Sequence, residues 1–80
     1  MHRDLKPQNI IMRNNKNIEE IAIIDFGLAS FVDVDQYLYE RCGTPGFVAP
    51  EIFAYQGPQL SENYNEKCDV FSVGIIFYML

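Results

Sequence analysis

The chain has 80 residues, 49% of them hydrophobic, enough for a modest core in one domain at most. Its formal net charge of −5, with only 6 Lys and Arg, argues against a nucleic-acid partner, because phosphate backbones reward clustered cations. The 11-residue apolar stretch from Val70 to Leu80 is too short to span a bilayer, the amino end lacks the apolar core of a secretory signal, and Cys42 and Cys68 lack metal-ligand spacing. No membrane partner is expected, and a cytoplasmic (or nuclear) setting with reduced thiols is.

In chain order, the first informative segment is His2-Arg3-Asp4-Leu5-Lys6-Pro7-Gln8-Asn9. A fixed carboxylate at Asp4 can accept a hydroxyl proton, and the amide of Asn9, five residues on, can offer its oxygen to a metal ion bridging phosphates. Lys6 supplies a compact positive charge for a phosphoryl group in transit, and Pro7 stiffens the loop and keeps it from being helical. Read alone, the same octad is also compatible with a chance cluster of surface charges.

Ile10-Ile11-Met12 reads as a short strand, Arg13-Asn14-Asn15-Lys16-Asn17 as a turn, and residues 21–24 as a second strand. A hairpin of this kind brings Asp25, which follows one strand, beside Asn9, which precedes the other. Asp25-Phe26-Gly27 joins a carboxylate to an aromatic and a flexible glycine; in isolation it is also ordinary turn chemistry. Mg²⁺ prefers hard oxygen ligands and keeps several waters, so one carboxylate, one amide and phosphate oxygens can complete its shell.

Residues 27–48 hold no period of two or 3.6, and so long an irregular stretch is expected to be a functional switch loop. It leads into Cys42-Gly43-Thr44-Pro45-Gly46-Phe47-Val48-Ala49-Pro50-Glu51. A short helix is expected over residues 50–55, with proline in its first turn and Glu51 favoured by the dipole, stopped by Gln56-Gly57-Pro58. A polar linker, residues 59–65, precedes Glu66-Lys67-Cys68-Asp69 and an apolar helix. Asp69 reads either as scaffold or as an exposed carboxylate at a helix N-terminus.

These motifs, in this order, resemble the eukaryotic protein kinase catalytic domain over essentially all 80 residues. Lys6 after His2-Arg3-Asp4, and Thr44 between glycine and proline, resemble the serine/threonine branch, and the wording of residues 43–51 is most similar to calcium/calmodulin-dependent and related kinases. The resemblance implies an α+β, protein kinase-like fold, of which residues 1–80 are a part: catalytic loop, short two-stranded hairpin, activation segment and start of the central helix. It also implies that the small lobe and the end of the large lobe lie outside these residues.

By the same resemblance, the parent protein would transfer phosphate from ATP to serine or threonine in protein substrates. Asp4 would act as base or orienter and Lys6 as charge stabiliser at ATP, with Asn9 and Asp25 holding Mg²⁺. Thr44 would hydrogen-bond Asp4 and Lys6, unless it is an ordinary turn threonine. Asp69 would accept hydrogen bonds from the backbone of the catalytic loop, and His2 and Phe26 would join a stacked apolar column that reports state. Gly27 and Glu51 complete two of the motifs, and Phe71 stands where tryptophan is usual.

Arg3 is of the kind that pairs with a phosphorylated side chain in the switch loop. Yet no serine or threonine lies between Ser30 and Thr44, and Glu40 occupies the position where related kinases often carry the threonine. Glu40 is therefore expected to offer Arg3 a permanent negative charge; the competing readings are modification of Tyr37 or Tyr39, or a solvated Glu40. The alternative to an enzyme is a truncated or pseudokinase fragment acting only as a binding module.

Overall fold

Pro7 suits the first position of a helical turn, where its fixed φ is already helical and its missing N–H is no loss. In the computed structural model, which describes residues 1–14 and 19–80, Pro7–Asn9 form a 3₁₀ turn closed by Asn9 N–H donating to the Lys6 carbonyl at 2.9 Å. Proline was expected to keep this octad free of helix; it instead nucleates a single turn. Lys6 is extended (φ −157°, ψ 164°), as the residue before a proline prefers.

The turn delivers the chain into β1 (Ile10–Met12), which pairs antiparallel with β2 (Ile21–Ile23), Ile10 opposite Ile23 and Met12 opposite Ile21. β2 ends one residue before the expected 24. The ladder is prolonged at one end by Arg13 N–H to the Glu20 carbonyl, 2.8 Å, and at the other by Ile24 N–H to the Asn9 carbonyl, 2.9 Å. Of the expected turn, Arg13 and Asn14 follow β1, and positions 15–17 lie outside the described residues.

From residue 27 to 48 there is neither helix nor strand, as the lack of period implied. α1 (Pro50–Phe53) is shorter than the expected 50–55: Tyr55 N–H reaches only back to the Ile52 carbonyl, and the chain turns through Gly57 at φ +101°. α2 (Lys67–Met79) follows.

The buried centre lies where α1, the linker and the start of α2 meet the switch segment: Tyr37, Ala49, Ile52, Tyr55, Tyr64 and Cys68, with Met1, Val34 and Val48 against them. Three tyrosine rings organise it. Tyr37 stacks on Tyr64 (centroids 4.4 Å apart, planes at 20°), and Tyr55 meets each of the two edge-on at 5.4 Å.

α2 is apolar all round, yet only Cys68 and Ser72 are buried, whereas Val70, Val73, Phe77 and Tyr78 face solvent. A helix of this kind ordinarily sits inside a larger body. The dimensions agree: the radius of gyration is 13.8 Å, against about 12 Å for a compact 80-residue domain. The accessible area is 6000 Å², against about 5000 Å² for a folded monomer of this mass. Among the described residues no helix is long and apolar enough to cross a membrane, and both cysteines are free thiols.

Candidate active site

A carboxylate can serve as a positioned acceptor only if something holds it, and Asp4 is held from three sides. Thr44 Oγ1 donates to Asp4 Oδ1 at 2.6 Å, Lys6 Nζ donates to Thr44 Oγ1 at 2.9 Å, and Lys6 Nζ lies 4.0 Å from Asp4 Oδ2. One threonine hydroxyl, with a single donor and lone pairs to accept, thus joins an acid to a cation. Thr44 comes from the irregular segment 40 residues away, so this triad links that segment to the loop.

Asn9, buried at the end of the 3₁₀ turn, donates from Nδ2 to the Asp4 carbonyl at 2.8 Å and lies 3.5 Å from Asp4 Oδ2. Its amide oxygen is left as the acceptor end. The hairpin brings the next donor: Ile24 N–H binds the Asn9 carbonyl, and Asp25 follows at once. Asp25 sits at φ +61°, a left-handed conformation that aspartate tolerates better than most residues. Gly27 N–H donates to Asp25 Oδ1 at 3.3 Å, and a Cβ at Gly27 would stand 3.2 Å from that oxygen, so glycine fits this turn. Among the described residues no group of three or more His, Cys, Asp or Glu side chains is gathered as a metal site. The local donors are one carboxylate and one amide, both hard oxygens suited to Mg²⁺, which would draw its remaining ligands from phosphates and water.

His2 is structural by its bonding. Asp4 N–H donates to His2 Nδ1 at 3.1 Å, so Nδ1 carries no proton, and Nε2–H donates to the Ile24 carbonyl at 2.9 Å. With both nitrogens engaged, the ring ties the octad to the end of β2. Phe26 meets its face edge-on at 4.9 Å while remaining 61% exposed.

Asp69, in the first turn of α2, accepts the backbone N–H of His2 at 2.6 Å and of Arg3 at 2.8 Å, one on each carboxylate oxygen. Arg3 has φ +73°, costly for a residue with a Cβ, and this two-pronged acceptance is what sustains it. Ser72, one turn on, donates to the Phe47 carbonyl at 2.6 Å and so ties the helix to the segment after Thr44. Glu51 stands exposed in the first turn of α1. Phe71, at the position where tryptophan was expected, is 37% exposed.

The pairing of Arg3 with Glu40 is not formed. The Arg3 guanidinium donates from Nε to the Leu28 carbonyl (2.7 Å) and from Nη1 to the Tyr39 carbonyl (2.6 Å) and the Tyr64 hydroxyl (2.9 Å). Its Cζ lies 5.4 Å from the centroid of the Tyr37 ring. Glu40 joins through its backbone carbonyl, which accepts from the Tyr64 hydroxyl at 2.8 Å, and its carboxylate forms no ion pair among the described residues. Neutral acceptors and an aromatic face have taken the place of the expected anion.

Tyr64 was read as part of a polar linker; its only signal was an aromatic flanked by two asparagines. Burial raises its phenol above the ordinary value and lifts Tyr37, whose hydroxyl donates to the Tyr64 carbonyl at 2.6 Å, to about 12, so both remain protonated donors at neutral pH. Burial likewise raises the Cys42 thiol, two residues before Thr44, which keeps it protonated.

A relative named probable serine/threonine-protein kinase fhkB, from Dictyostelium discoideum, is 47% identical over 79 residues, covering 99% of this chain and 7% of the relative. Myosin light chain kinase A from the same organism is 39% identical over 80 residues, 100% of this chain and 25% of the relative. Calcium/calmodulin-dependent protein kinase type I from Schizosaccharomyces pombe is 39% identical over 82 residues, 100% of this chain and 23% of the relative. The chain therefore spans a quarter or less of the length of these relatives. With the profile of the family described as Protein kinase domain matching residues 1–80 throughout, the chain belongs to the protein kinase domain family.

Proposed function

We propose that residues 1–80 are the phosphate-transfer segment of a serine/threonine protein kinase, part of its α+β large lobe. Residues 2–9 serve as catalytic loop, β1 and β2 as the metal-presenting hairpin, the irregular stretch as activation segment and α2 as the start of the central helix. The whole protein would use ATP to phosphorylate serine or threonine hydroxyls of protein substrates in the cytoplasm.

The observation that carries this reading is the Asp4 carboxylate fixed by the Thr44 hydroxyl at 2.6 Å, with Asn9 against it. Oδ1 is committed to Thr44, which leaves Oδ2 to orient an incoming hydroxyl and accept its proton, a contribution of about 10²–10⁴-fold for a positioned base. Lys6, steered by Thr44 Oγ1, keeps two further N–H donors for a phosphoryl oxygen. Asn9 Oδ1 and the Asp25 carboxylate would hold Mg²⁺. When bound, that ion supplies charge neutralisation along the phosphates. Because Thr44 belongs to the activation segment, the path of that segment decides whether Asp4 is correctly aimed.

A binding-only module is favoured by one observation, the exposed apolar side chains of α2, which call for a covering surface. A transfer assay separates the two. The full-length protein carrying this segment should label a serine- or threonine-containing peptide from γ-labelled ATP with Mg²⁺. Excess EDTA should stop labelling, and Asp25→Asn should raise the Mg²⁺ concentration needed for half-maximal rate. An intact protein that labels nothing would support the binding module.

A further inference from the structure

Resting on the kinase reading, we propose that Tyr64 is a positioning residue: its hydroxyl bridges the Arg3 guanidinium and the Glu40 carbonyl, and so holds the activation segment facing Asp4 without an added phosphate.

Arg3 is only 4% exposed, so its guanidinium must have its charge compensated, and here three neutral oxygens from three separate stretches do so. The Leu28 carbonyl follows the Asp25-Phe26-Gly27 turn, the Tyr39 carbonyl lies within the switch segment, and the Tyr64 hydroxyl comes from the linker before α2. A phenol offers one proton, and Tyr64 spends it on Glu40 while its lone pair receives Arg3. Removing that oxygen therefore breaks two bonds at once and unties the segment from the cation.

The stretch 37–40 is fastened to Tyr64 at both ends, at Glu40 through the hydroxyl and at Tyr37 through the ring stack and the 2.6 Å bond to the Tyr64 carbonyl. From Glu40 the chain reaches Thr44 in four residues, past Gly43 at φ +124°. A Cβ at Gly43 would stand 2.7 Å from Val48 Cγ2 and 3.1 Å from the Arg3 carbonyl. So little slack connects Tyr64 to the hydroxyl that fixes Asp4. The stretch 31–43 contains no serine or threonine to phosphorylate, and Tyr37 is buried with its hydroxyl in use.

The test uses the full-length protein after exhaustive phosphatase treatment, its phosphate-free state verified by intact mass. Limited tryptic digestion read by mass spectrometry should find the bond after Arg41 resistant in the wild type; rapid cleavage there, suppressed by phosphorylation at Tyr39 or elsewhere, would overturn the proposal without recourse to any variant. In Tyr64→Phe, cleavage after Arg41 should quicken about 10-fold or more while cleavage after Lys67, at the start of α2, is unchanged, as expected for losing hydrogen bonds to a charged group. Steady-state kinetics should show kcat down by a similar factor with KM for ATP within about two-fold, the split a transfer-geometry defect gives. Unchanged cleavage after Arg41, or a rise shared equally by the bond after Lys67, would overturn the role. A wild type that resists cleavage after Arg41 yet transfers no phosphate would refute the kinase activity and leave the Tyr64 clamp standing.

Discussion

The smallest unit of the account is the hydroxyl of Thr44, which donates to Asp4 at 2.6 Å and accepts from Lys6 at 2.9 Å. Thr44→Val keeps the shape and removes both bonds. A hydrogen bond to a charged group is worth about 1.5–3 kcal/mol, so kcat of the full-length protein should fall about 10–100-fold. Thr44→Ser should retain most of the rate, and steady-state peptide phosphorylation measures both. Individual residues also mark the limit of the sequence reading. Asp4, Lys6, Asn9 and Asp25 stood out because their chemistry depends on residue type and spacing. The partner of Arg3 did not: a cation suggests an anion, and Glu40 occupies the position where related kinases often carry a phosphorylated threonine. The bonds went instead to backbone carbonyls and to Tyr64, 61 residues away, and neither backbone acceptors nor such distant contacts leave a mark in residue type.

Among the elements, α2 holds the octad. Both oxygens of Asp69 take backbone N–H groups of buried residues, and one of these residues, Arg3, sits at φ +73°. Asp69→Ala would orphan both donors, each costing about 1–3 kcal/mol, so thermal unfolding of the full-length protein should shift down by several degrees. Asp69→Asn can keep one acceptor and should lie between. The core between α1 and α2 carries its own pH signature. Tyr37 is raised from 10.0 and Cys68 from 9.0, each to about 12, burial being the largest cause in both. Folded values above unfolded ones mean that each contribution is complete below the unfolded pKa and is lost as pH rises through the folded one. Melting temperature should therefore be level in this respect up to about pH 9 and decline towards pH 12, with a shallower decline in Tyr37→Phe. The strands were legible from short apolar runs flanked by turn formers, and α2 from its apolar length. The 3₁₀ turn at Pro7 was not, because a proline that blocks a helix interior also starts a helical turn, and only its neighbours' hydrogen bonds distinguish the two.

At the scale of the molecule, the described residues form a site with an open back. Phe77 is 78% and Tyr78 89% exposed, although α2 has the composition of an interior helix. A polypeptide of residues 1–80 alone should therefore self-associate in sedimentation velocity and should label no peptide, whereas a monomeric, active fragment would show that the segment is self-sufficient. The site itself survives this openness because its contacts are local to the octad, the hairpin and Thr44, with Asp69 and Ser72 as struts from α2.

The most direct test of the central claim, that Asp4 is the held acceptor of the substrate proton, is the single-turnover rate of phosphate transfer from ATP to peptide in the full-length protein and in Asp4→Asn. Asparagine preserves size and removes the basic carboxylate, so the rate should fall about 10²–10⁴-fold while ATP affinity stays nearly constant. Equal rates in the two proteins would contradict the assignment.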